Sequence, residues 1–71
     1  MDKERILNRL AFKLNLERER HEVYVLADEG QGYMVSKVKD GYNVTSQDEN
    51  KEEVFIGRLV RKGYKWTVEV A

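Results

Sequence analysis

The chain has no cysteine, so neither a disulfide staple nor a thiolate metal site is open to it. Its 71 residues leave much of the surface in water, and the core must suffice alone unless oligomerisation or a partner contributes. Net charge is lacking too. Thirteen Lys and Arg balance 13 Asp and Glu, so global charge names no partner, although a neutral chain can carry a basic patch. There is no long apolar run: Met1 to Arg5 lead into a short pattern broken by charges, which is neither a signal peptide nor a membrane span. The expected location is cytoplasmic.

Catalytic patterns are equally scarce. His21 is the only histidine and stands among Glu19, Arg20 and Glu22, without a nucleophile or an enclosing pocket beside it. Ser36, Thr45, Ser46 and Thr67 supply hydroxyls, but none lies in a nucleophile elbow. Gly30-Gln31-Gly32 joins two strands and opens no helix, so no helix N-terminus awaits a phosphate. Gln47-Asp48-Glu49-Asn50 lacks the glycine and ligand spacing of a calcium-binding loop. The expectation is a non-enzyme with no cofactor, no metal and no evident small-molecule substrate.

What is present is a composition of 41% apolar and 37% charged residues, that of a soluble globular chain rather than a disordered one. Asp2 suits a helix cap, and Ile6, Leu7, Leu10, Ala11 and Leu14 recur at three-and-four spacing, predicting a helix over about 2–16. A strand through Phe12, Leu14 and Leu16 is the competing local reading. Beyond the charged connector Glu17 to Glu22, β-rich runs predict strands at about 22–28, 33–39, 42–46, 53–61 and 64–70. Gly30-Gln31-Gly32 and Asp40-Gly41 are the expected turns, the latter with positive φ, and the polar stretch Gln47 to Glu53 an exposed loop. One small α+β domain over 1–71 follows, its helix packed on a five-stranded antiparallel meander sheet or small open barrel.

The last hairpin holds the only tryptophan inside the densest run of cations. A three-residue loop, Arg61-Lys62-Gly63, would pair Val60 with Tyr64 and Arg58 with Trp66. Val54, Ile56, Val60, Tyr64, Trp66, Val68 and Val70 would then share one face with Arg58, leaving Phe55 and Leu59 on the other. A two-residue Lys62-Gly63 turn would swap the first strand's faces, but either way Val54 to Val60 is apolar on both sides and needs covering twice. In Gly57, Arg61, Lys65, Trp66, Glu69 and Val70, about a fifth of the chain, the hairpin resembles the ethylene-response type of three-stranded-sheet DNA-binding domain. That resemblance implies DNA contacts at Arg61 and Lys65. The family's helix follows its sheet, whereas the predicted helix here precedes the strands.

Two sets of candidate residues emerge. Phe12 and Leu16, beside Arg5 and Arg9 on the helix side away from the leucine stripe, have the anatomy of a small protein interface, and Phe55 and Leu59 on the doubly apolar strand extend it. Arg58, Arg61, Lys62, Lys65 and Trp66 form the alternative, a nucleic-acid-binding ribbon. The leading expectation is a small accessory or regulatory interaction module that binds another protein or itself as a homodimer, with nucleic-acid binding second.

Overall fold

In the computed structural model, which describes residues 2–47, 50 and 52–71, one helix lies across an open five-stranded antiparallel sheet in strict meander order. The elements are α1 (Lys3–Glu17), β1 (Val23–Asp28), β2 (Gln31–Val38), β3 (Gly41–Gln47), β4 (Glu53–Lys62) and β5 (Lys65–Val70). The sheet does not close into a barrel. β1 and β5 remain its two edges.

Asp2 caps α1 through its carboxylate, which accepts from the Arg5 N–H at 3.1 Å, while Glu4 complements the positive end of the helix dipole. The helix runs unbroken past Phe12 and Leu16 and ends where Arg18 turns left-handed at φ 61°, which disposes of the competing strand. Leu7, Leu10, Ala11 and Leu14 are buried against Tyr24, Tyr33, Val35, Tyr42, Val44, Ile56 and Leu59, with Trp66 and Val68 packed at the margin. All of this core lies between helix and sheet.

Each turn overlaps the expected one but is displaced along the chain. The first is Glu29-Gly30, both with positive φ, which closes Asp28 on Gln31 and fits the right-handed strand twist. The second is Lys39-Asp40, where neither residue has positive φ. The last is Gly63-Tyr64, closing Lys62 on Lys65, with positive φ on the glycine alone. Asp48, Glu49 and Lys51 of the expected loop lie outside the described residues.

A bulge in β4 corrects the expected face assignment. Val44 pairs with Gly57 but Thr45 pairs with Phe55, so Ile56 and Gly57 together oppose one residue of β3. The extra residue reverses the alternation. Ile56 and Leu59 therefore both enter the core, and Arg58 moves to the other face. Gly57 permits this with φ 154° and no side chain; a Cβ there would stand 2.3 Å from the Glu69 carbonyl oxygen and 2.7 Å from Leu7 Cδ1.

Candidate interaction surfaces

The face of the sheet away from the helix, here the outer face, is an unroofed surface. Its central cross-strand row is Val25, Met34, Thr45 and Phe55, one residue from each of β1 to β4. Val25 is 77% exposed and Phe55 46%. Among the described residues no element covers the second side of β4 and only Val60 is buried there, with Gly41 and Thr67 as its cross-strand neighbours.

On the opposite side of the molecule, Phe12 and Leu16 stand on the crest of α1, each 66% exposed. An open hollow of about 520 Å³ runs beside them, lined also by Asn8, Arg9 and Lys13. Arg5 and Arg9 are not a free rim. Arg5 pairs with Glu29 at 2.6 Å, and Arg9 Nε donates to both oxygens of Asp28 at 2.8 and 3.0 Å. Lys13 adds a contact to Asp28 at 3.6 Å and donates to the Ala27 carbonyl.

These cations pin the helix to the β1–β2 turn. Asp28 is a buried carboxylate, and the hydrogen bonds from Arg9 hold its pKa below the usual range against the opposing effect of burial. Reciprocally, the carboxylate raises the pKa of Arg9. Asp28 and Lys13 escape sequence reasoning because each has its partner on another element, one on β1 and the other on α1. The i, i+4, i+8 spacing of Arg5, Arg9 and Lys13 is the one visible sign of a cationic stripe.

Of the expected protein-interface residues, Phe12 and Leu16 stay together, Phe55 sits on the far side of the molecule, and Leu59 is 0% exposed in the core. Leu59 is thus no surface residue. The bulge put it on the helix side, which period-two counting through Gly57 misses.

The basic hairpin divides in the same way. Arg61 faces the helix side, where it pairs with Glu19 and lies 5.4 Å over the Trp66 ring. Trp66 itself is half-buried, its ring 6.0 Å from that of Tyr42. On the outer face, Arg58 is held by Asp40 and by Glu69 at 3.1 Å, and Lys62 stands opposite Lys65. Arg61 and Lys65, the two positions of the DNA-binding resemblance, are on opposite faces of the ribbon.

His21 is exposed, with its N–H donating to the Tyr24 hydroxyl at 2.9 Å. Tyr24, Tyr33 and Tyr42 are core residues. Among the described residues there is no group of His, Asp and Glu arranged to hold a metal ion, and no helix is long and apolar enough to cross a membrane.

The structure defines a small α+β domain with one helix on an open antiparallel meander and exposed apolar side chains on both the helix crest and the outer sheet face. No family model, no curated protein and no solved structure matches the chain.

Proposed function

We propose that the chain is a non-enzymatic interaction module, an accessory or regulatory protein that works by surface contact with another protein or with itself. The observation that carries this reading is the apolar side chains left in water on both sides of an otherwise well-filled core: Phe12 and Leu16 on the helix, and Val25, Met34 and Phe55 on the sheet. Accessible surface supports it. The chain exposes 5172 Å², where a compact monomer of its mass exposes roughly 4600 Å². Clustered exposed apolar side chains rimmed by polar residues are the usual anatomy of a protein contact.

The nucleic-acid alternative has less to rest on. Arg58 and Arg61 are each engaged by carboxylates, which leaves Lys62 and Lys65 as a small cationic pair at one turn. Two phosphate contacts give a weak, strongly salt-dependent affinity.

The test is solution mass by sedimentation over a wide concentration range, alone and with a mixed nucleic-acid pool at low salt. Protein association, by this chain or a partner, is expected to resist moderate salt. If instead only nucleic acid binds, with an affinity that collapses with salt and on reversing Arg61 and Lys65 to Glu, the alternative takes its place.

A further inference from the structure

β5 is a free edge of the sheet. The Ala71 N–H donates to the Ile56 carbonyl at 3.1 Å, and antiparallel ladders alternate bonded and non-bonded pairs. Glu69, Thr67 and Lys65 thus exchange bonds with Arg58, Val60 and Lys62, in keeping with the register of the hairpin. Trp66, Val68 and Val70 point their N–H and C=O groups away from β4, and among the described residues nothing bonds to them.

The opposite edge is guarded. Lys37 N–H bonds the Glu22 carbonyl, so the even-numbered residues of β1 face β2 and the odd-numbered ones face out. Lys13 donates to one of those outward carbonyls, that of Ala27. β5 has no such hydrogen bond on its outward groups, no proline and no bulge in its pairing with β4; the charges it does carry, Lys65 and Glu69, are of opposite sign, so they guard the edge against other alignments more than against a matched copy.

Side chains select the alignment. If β5 pairs antiparallel with a second β5 about Thr67, outward groups meet outward groups, with Trp66 opposite Val68 of the second copy. Lys65 then falls opposite Glu69 of the second copy, twice by symmetry. Centring on Trp66 or Val68 instead loses both charge pairs.

Within one copy these charges are unbalanced. Lys62 and Lys65 sit directly opposite each other, and neither makes an ion pair among the described residues, whereas Arg58 is one cation between two carboxylates, Asp40 and Glu69. Two-fold pairing sets the surplus cation of each copy against the surplus anion of the other. It also brings Tyr64, 99% exposed at the turn, level with Val70 of the second copy, 50% exposed in the single chain.

We propose that β5 is a homodimerisation edge, through which two copies pair about Thr67 into one continuous sheet. This assignment rests on the interaction reading above and gives it a partner. β5 has six residues, about 20 Å of strand, so the contact falls below the roughly 800 Å² per partner of a stable complex. The dimer is a concentration-dependent one.

A cysteine-free chain makes the test direct. Thr67 meets its own copy in a non-bonded pair, where Cα atoms are about 4.5 Å apart, within reach of a disulfide. Thr67→Cys is expected to give a covalent dimer on mild oxidation at high protein concentration, and Val25→Cys, exposed on β1, to stay largely monomeric. By sedimentation, Lys65→Glu and Glu69→Lys should each weaken the dimer by at least about tenfold. Mixing the two variants should restore it, because both pairs become attractive in the heterodimer. A chain that stays monomeric at all concentrations and yields no Thr67→Cys dimer overturns the proposal. So does a dimer that survives both charge reversals but is lost on Phe12→Asp or Phe55→Asp, and that outcome leaves the interaction reading standing. Salt-steep nucleic-acid binding by a monomer would overturn both.

Discussion

Two residues show how closely the core is fitted. Gly57 lies at φ 154° with the Glu69 carbonyl and Leu7 where a Cβ would go. Backbone and side chain object together, so Gly57→Ala is expected to cost about 2–4 kcal/mol, read as a shift in the denaturant midpoint. Tyr42 is the contrary case. Its hydroxyl is buried with no hydrogen-bond partner among the described residues, and burial raises its pKa. An unsatisfied hydroxyl is a liability, so Tyr42→Phe should leave stability unchanged or raise it by up to about 1 kcal/mol. The sign on the alkaline side follows from linkage. A raised phenol pKa gives stability that is present below the ordinary tyrosine range and lost as pH rises through the folded value. Removing the phenol should therefore flatten part of the loss of melting temperature above pH 10, leaving the share of Tyr33, whose pKa burial also raises.

At the scale of elements, the contact between α1 and the β1–β2 hairpin is an electrostatic pin, with Arg9 and Lys13 on buried Asp28. Asp28 is depressed in the fold, so its contribution is present above the ordinary carboxylate range and fades as pH falls through the folded value, where the folded chain must also take up the proton. Asp28→Asn should lower the melting temperature at pH 7, and the gap to the unmodified chain should close on acidification; a gap that stays constant to pH 2 would show that the pin is only steric. This element pair also marks what was legible in the sequence. The helix could be read because Leu7, Leu10 and Leu14 keep one period from cap to end, and the meander because each apolar run meets polar turn residues. Asp28 is indistinguishable in sequence from any other strand-end carboxylate, since its partners are 15 and 19 positions away. The hairpin faces depart from the sequence pattern for a different reason. Period-two counting holds only while the ladder is regular, and one extra residue at Ile56-Gly57 sends Leu59 inward and Arg58 outward. The turns are displaced for a similar reason: Gly30 and Gly63 do sit in turns, but Gly32 and Gly41 lie in strands, and Glu29 and Lys39 complete the first two turns.

For the whole molecule, the governing fact is a sheet with one face covered. A single layer of side chains between α1 and the inner face carries the hydrophobic contribution, and 71 residues give a total stability of roughly 4–11 kcal/mol. Losing one core leucine is then nearly decisive, whereas losing an exposed aromatic is not. Leu59→Ala should cost about 2–5 kcal/mol, a large share of that total. Phe12→Ala should stay within about 0.5 kcal/mol, although phenylalanine is the larger side chain. Urea titrations of the two variants decide the matter. Comparable losses would mean that Phe12 is packed in solution and that the helix crest is not available to a partner. A large loss at Leu59 with none at Phe12 would place the cost of folding and the capacity for association on different residues. The outer face could then change its contacts without loss to the fold, because nothing in the core depends on Val25, Met34 or Phe55.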